Sequence, residues 1–295
     1  MAISNDFQFE YTNPRGDSIL MGALTDYDVT DVRGLGMPSV RANDVGRLDA
    51  DGSITSRKEL LSARTINLRI NVIGTPGDDL DSKLTSLFLA VQANDSPGTL
   101  SFQWPMGYGA TVTSEDTRFV TAYVRQVTKS VVASNAAGIV PVYIQLEAPN
   151  PLIHRTTQNS ETIALASFVG GLEFPDTFPA TFGTGSSLST TVNNAGNFAA
   201  YPVVRFMGPV TAPKIRIEGV GKWIELAGLV VASGSYCEVD FYERSILLNG
   251  SSSQYNKLTS ASEWFTLPPG TSYVTYSASS SSAVNCFFKW YDTWI

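Results

Sequence analysis

One stretch of this chain fixes its strand geometry before anything else is considered. From Thr65 to Gly74, Ile66, Leu68, Ile70 and Val72 fall in one phase, and Asn67, Arg69 and Asn71 fall in the other. A period of two over ten residues is the pattern of a strand with one face in a core and one face in water. A slip of one residue would expose the whole apolar set, so the pairing register is strongly specified. Gly74-Thr75-Pro76-Gly77 then breaks the strand.

The period changes once. Leu80, Leu84, Leu87, Phe88 and Val91 recur at helical spacing between Asp78 and Ala93. Asp78, Asp79 and Asp81 fall in the first turn, where carboxylates meet free N–H groups and the positive end of the helix dipole. Asn94 to Gly98 ends it. Strand patterns resume at Thr99–Trp104, Arg118–Val127 and Ile139–Leu146, the last with Val140, Val142, Ile144 and Leu146 in phase. The N-terminal half therefore reads as a β-sandwich or split barrel with one packed α-helix, closing near Pro149-Asn150-Pro151.

Residues 155–186 carry repeated Thr, Pro, Phe and Gly with no sustained period and read as a long irregular connection. Beyond it come eight short strand patterns: Leu188–Val192, Val203–Met207, Lys214–Glu218, Trp223–Leu226, Cys237–Phe241, Ser245–Leu248, Ser272–Ala278 and Asn285–Tyr291. Short strands spaced by Gly, Pro and Asn turns indicate a jelly-roll β-sandwich. The division expected is residues 1–154 and residues 155–295. The expected class is mostly β, and 295 residues suit two domains of about 150 each.

Charge and composition bound the function. Charged residues make up 16% and the formal net charge is −7. A chain that wraps duplex DNA shows a basic face, and no basic run is visible here. Met1 to Thr12 contains Asp6 and Glu10 and does not read as a secretory signal. No run reaches the 18 or so apolar residues of a spanning helix, so membrane insertion is not expected.

Catalytic chemistry is hard to place. The single histidine, His154, has no GxSxG turn to serve and reads as structural. Arg47 to Thr55 resembles part of a calcium loop through Asp49 and Asp51, but Arg47 and Lys58 would fall at ligand positions, so an Asp-Gly turn is the better reading. Asp26, Asp28 and Asp31, or Glu115 and Asp116, read as solvated loop charges rather than the paired carboxylates of a glycosidase. Gly219-Val220-Gly221 lies between strands and reads as a hairpin turn. Cys237 and Cys286 read as two core residues, with one bridge left open. No enzyme activity, cofactor or metal is expected.

Leu35, Met37 and Val40 are the candidate interface residues. They sit in the Gly-rich segment from Asp31 to Arg64, and a long loop with apolar residues usually has something to cover.

The order of short motifs in the C-terminal half carries a family resemblance. Asn193-Asn194-Ala195-Gly196-Asn197 precedes Ala200-Tyr201-Pro202, and Leu247-Leu248-Asn249-Gly250 follows Cys237-Glu238-Val239-Asp240. Leu267-Pro268-Pro269-Gly270 then leads to the ending Lys289-Trp290-Tyr291-Asp292-Thr293-Trp294-Ile295. In the N-terminal half, Gly34-Leu35-Gly36-Met37-Pro38, the strand, the helix and Ile139–Leu146 keep the same order of events. The chain resembles the distal tail proteins of long-tailed bacteriophages, the Dit-like tail components. Where that family closes its first domain with Asp-Pro, this chain has Ala148-Pro149-Asn150-Pro151.

The resemblance implies a virion structural protein that forms a hexameric ring at the distal end of the tail tube, with its N-terminal domains around a DNA channel and galectin-like C-terminal domains projecting outward. It implies tail tube, tape-measure, tail-tip and receptor-binding proteins as partners, DNA passing without specific binding, and assembly in the bacterial cytoplasm. The alternative is a carbohydrate-binding module of a tail, suggested by Trp223, Trp264, Trp290 and Trp294, or a neighbouring minor tail protein.

Overall fold

The fold was described from a computed structural model. It describes residues 3, 7–41, 45–54, 60–103, 117–131, 137–165, 168–169, 184–185, 189–279 and 284–295. The chain divides into two compact units, residues 1–157 and residues 158–294.

The first unit contains β1 (Gln8–Thr12), β2 (Ser18–Gly22), β3 (Tyr27–Arg33), the short pieces β4 (Val40–Arg41), β5 (Val45–Gly46), β6 (Ser53–Ile54) and β7 (Leu60–Leu61), and then β8 (Arg64–Ile73). After α1 (Asp78–Ala90) come β9 (Gly98–Gln103), β10 (Thr117–Lys129), β11 (Ile139–Ala148) and β12 (Ile153–Arg155). The strand order is β2-β1-β9-β10-β11-β8-β3. Its two ends, β2 and β3, are consecutive in the chain, so the sheet bends round into a split barrel.

The bend is built into β10. Its first half pairs with β9, its second half pairs with β11, and a bulge falls between Val124 and Gln126. An extra residue in one strand raises local twist and turns the strand. Strand β8 lies between β11 and β3, and its burial alternates as its sequence does: Ile66, Leu68, Ile70 and Val72 are buried. Leu80, Leu84 and Leu87 of α1 are buried too, and the helix packs on β2 and β8. Burying each such side chain contributes on the order of 1.5–3 kcal/mol. The helix starts at Gly77 without a side-chain cap; Asp79 instead accepts the Thr75 N–H at 2.8 Å and pairs with Lys83 at 3.1 Å.

The second unit is a sandwich. One sheet has the order β13 (Asn159–Ile163), β26 (Cys286–Trp290), β17 (Val203–Met207), β22 (Tyr236–Asp240), β23 (Ser245–Leu248) and β24 (Ser252–Ser253). The other has the order β16 (Ser189–Asn194), β25 (Gly270–Ser277), β19 (Lys214–Ile217) and β20 (Lys222–Glu225). Two short pairs accompany these sheets, β14 (Phe168–Val169) with β15 (Thr184–Gly185) and β18 (Val210–Thr211) with β21 (Val230–Val231), as the β4–β7 and β5–β6 pairs do in the first unit. Phe206 and Tyr276 stack at 5.6 Å between the two sheets, in a core that also holds Val204, Ile215, Ile217, Val239, Val274 and Phe288. This is the galectin-like jelly-roll class.

All eight strands read from the C-terminal sequence are present, with ends shifted by a residue or two. Two readings need correction. The connection after residue 155 is not wholly irregular, because Asn159–Ile163 forms β13 along the edge of the six-stranded sheet. Its polar residues show no alternation because an edge strand buries little; only Ile163 is buried. The segment from Asp31 to Arg64 is likewise not a plain loop, as described below. The Ser-rich tract at 277–282 lies only partly within the described residues.

The cysteines are free and buried. Cys237 and Cys286 both register against Phe206, one on each side of β17. Two strand spacings put them roughly 10 Å apart, beyond the ~7 Å that a bridge can span. Burial pushes the Cys237 thiol up to about 12 and the Cys286 thiol higher.

His154 sits on β12 opposite Phe119, with the two rings 5.6 Å apart. Burial lowers its pKa from 6.5 to about 4. The unfolded chain therefore binds a proton between those values that the folded chain refuses. The stabilisation is complete above about pH 6.5 and is lost as pH falls toward 4, by up to ~3 kcal/mol. Urea unfolding of His154→Gln and the parent across pH 4–7 should show the parent losing more stability than the variant in that window. Parallel profiles would mean that His154 titrates normally in the folded chain.

Candidate functional site

The segment between β3 and β8 is a two-tier hairpin arm. Val40 pairs with Leu61 and Arg41 with Leu60; further out, Val45 pairs with Ile54 and Gly46 with Ser53. Asp49 and Asp51 lie exposed at its tip, and Arg47 N–H bonds the Gly52 carbonyl across the turn. That is a turn rather than a cation cage, and among the described residues no cluster of metal-ligating side chains occurs. Lys58 lies outside the described residues.

The root of the arm is held by one buried cation. Arg64 begins β8 and is 1% exposed. Its Nε donates to the Pro151 carbonyl at 2.7 Å; its Nη1 donates to the Gly34 carbonyl at 2.8 Å and to the Gly36 carbonyl. Nη2 is buried with no partner among the described residues. Burial lowers its pKa, yet a guanidinium keeps its charge. Among the described residues no carboxylate pairs with it, and three carbonyl dipoles stand in its place, tying the outgoing foot of the arm to the returning strand and to residue 151. Gly34 has φ +96, and a Cβ there would overlap the Thr65 carbonyl. The sequence signal for Arg64 is its phase: it falls in the apolar register of Ile66 to Val72.

The three loop residues named from sequence separate in the structure. Leu35 is buried at the root, 8% exposed, so this chain itself covers it. Met37 is 68% exposed, and Val40 is half-buried opposite Leu61. Farther out, Val45, Leu48 and Leu60 are exposed, Leu48 completely.

Beside the arm lies a polar sheet face made by the outward residues of β3, β8, β11 and β10. Register lines up Asp31, Arg69, Tyr143 and Thr128 in one rung and Arg33, Asn67, Gln145 and Gln126 in the next. The face lines an open hollow of about 610 Å³. Arg33 Nε donates to Asp31 at 2.8 Å, Arg125 pairs with Glu147, and Arg69 lies over the Tyr143 ring at 5.4 Å. No aliphatic side chain points outward in these two rungs.

Elsewhere the candidates disperse. Trp290 is buried, Trp264 packs against the core, Trp294 is half-buried, and Trp223 stands on the outer side of the four-stranded sheet. Asp26 pairs with Lys83, whereas Asp28 and Asp31 face different residues of β8, Asn71 and Arg69. Glu115 and Asp116 lie outside the described residues.

The Arg64 contacts generate a prediction. Arg64→Lys keeps the charge but cannot serve three carbonyls with a planar fork. Stability should fall by roughly 2–4 kcal/mol in urea unfolding, since charged hydrogen bonds are lost from buried groups. Trypsin should then cut the native variant faster at Arg41 or Arg47 in the arm. A lysine variant with parental stability and parental cleavage would remove Arg64 from this role.

Residues 195–294 match the family described as siphovirus-type tail component, C-terminal domain. The crystal structure of the SPP1 Dit protein (gp 19.1), described as a paradigm of the hub adsorption apparatus in phages infecting Gram-positive hosts, superposes with a TM-score of 0.66 and 16% identity, over 98% of this chain and 99% of that one. The baseplate of phage p2 in its activated conformation with Sr gives a TM-score of 0.45 and 10% identity, over 96% of this chain and 97% of the matched one. No curated protein sequence matches. Residues 195–294 are thus similar to the siphovirus-type tail component C-terminal domain, and the chain as a whole has a Dit-like fold.

Proposed function

We propose that this chain is a structural hub at the distal end of a long phage tail. In this reading residues 1–154 assemble into a closed hexameric ring around a channel, and residues 155–295 project outward to tail-tip and receptor-binding proteins. The observation that carries it is the joint one: the C-terminal unit matches the tail-component family by sequence, and the Dit fold covers 98% of the chain.

The two surfaces of the first unit suit such a ring. A closed ring is built from heterologous contacts, in which one patch meets a different patch on the neighbour. An arm that exposes Met37, Val45, Leu48 and Leu60 has apolar area that its own chain leaves in water. The polar rungs have the opposite character and suit a surface that stays wet. Six copies at −7 each carry −42, which disfavours tight binding of DNA in transit.

The hub reading assigns no catalytic step to the chain, and the matched family is one of structural tail components. Tail tube and tape-measure proteins are the partners proposed at the ring faces. The place of action is the virion tail tip, after assembly in the bacterial cytoplasm.

Leu35, Met37 and Val40 take graded parts in this proposal. Leu35 anchors the root of the arm, while Met37 and Val40 reach the neighbouring subunit with Leu48. Replacing Met37 and Leu48 by Ser should leave the circular dichroism spectrum unchanged, because both are exposed. Light scattering should show the parent as an oligomer and the double variant shifted toward monomer. An unchanged mass for a folded double variant would exclude the arm from assembly.

A further inference from the structure

The outer face of the four-stranded sheet in the second unit carries a group of side chains that neither the core nor the arm explains. Thr275, Arg216 and Trp223 lie in one rung across β25, β19 and β20. Glu218 follows β19, and its N–H bonds the Tyr273 carbonyl. Tyr273 projects from the same face and is 52% exposed. Two strand spacings across and two residues along put the Tyr273 and Trp223 positions roughly 12 Å apart, a span of two to three sugar rings.

Between the two rings the polar groups are held in place. Thr275 Oγ1 donates to Glu218 Oε1 at 2.7 Å, and Arg216 Nε lies 3.2 Å from Glu218 Oε2. Each carboxylate oxygen keeps a lone pair free. The carboxylate therefore presents fixed acceptors beside the guanidinium's remaining donors, with little ordering left to do on binding. Aromatic faces beside a few convergent, oriented polar groups are the ingredients of a small-ligand site.

We propose that this face binds a neutral glycan, with Tyr273 and Trp223 stacking against sugar C–H faces and Glu218 and Arg216 exchanging hydrogen bonds with sugar hydroxyls. Charge decides the class of ligand. Arg216 is matched by Glu218, and Lys214 is matched by Glu225 at 3.2 Å, so the face offers a polyanion no net attraction. Trp223 is half-buried and Lys214 Nζ lies 4.9 Å from its ring, so a sugar stacking there takes the place of the lysine. An aliphatic-rich protein partner is disfavoured too, because Thr191, Thr275 and Ser277 surround the rings with hydroxyls.

The test uses the full chain and saturation-transfer NMR with cellotetraose, maltotetraose, chitotetraose and β-1,4-galactotetraose, with polyglycerol phosphate as the anionic comparison. At least one tetrasaccharide should show transfer at millimolar concentration. Tyr273→Ala and Glu218→Gln should each weaken that affinity about tenfold, or ~1.4 kcal/mol. Circular dichroism should be unchanged for both, since both side chains are exposed, and the oligomer mass should be unchanged. Absence of transfer from all four sugars overturns the proposal. So does binding that both variants retain, or salt-sensitive binding of polyglycerol phosphate alone.

Discussion

Strand β8 carries more of this structure than any other element. It lies between β3 and β11, so both of its edges are paired and its register cannot slip without moving two neighbours. One phase of its residues is capped by α1 and closes the core. The opposite phase, Asn67, Arg69 and Asn71, makes the middle of the polar face. Its first residue, Arg64, fixes the arm. The core, the wet face and the arm are therefore consequences of one alternating ten-residue segment.

Arg64 shows how a cost in one place organises another. Burying a guanidinium without a carboxylate is unfavourable unless dipoles replace the lost water. The carbonyls of Gly34, Gly36 and Pro151 do so, and only a chain path that brings those three together satisfies the cation. The arm's direction at its root is thereby set from inside the unit, while its outer residues remain free to meet something else. The same division recurs in the second unit, where Phe206 and Tyr276 fill the sandwich and the Glu218 network stands on its outside.

Much of the fold was legible where periodicity was strong. Arg64–Ile73, Asp78–Ala90 and the eight C-terminal strands follow from spacing alone, because half-buried elements must alternate at their own period. Strand β13 was not legible: Asn159–Ser160–Glu161–Thr162 gains from pairing with β26 but buries almost nothing. Two-residue ladders leave no period, so the sequence shows the arm only as a loop. Of the loop residues, Leu35 was expected at an interface and turned inward, since composition tells that an apolar residue wants cover but not which surface supplies it. Arg64 was hidden by its charge, although its phase marks it. The Thr275–Glu218–Arg216 group joins residues 57 positions apart, and no local pattern joins them.

The central claim is that the first unit closes into a ring. Negative-stain electron microscopy of the purified full chain tests it most directly. The account predicts closed rings with sixfold symmetry around an open centre, with the second units at the periphery. Isolated two-lobed particles at concentrations where the chain is folded, or open filaments without closure, would contradict it.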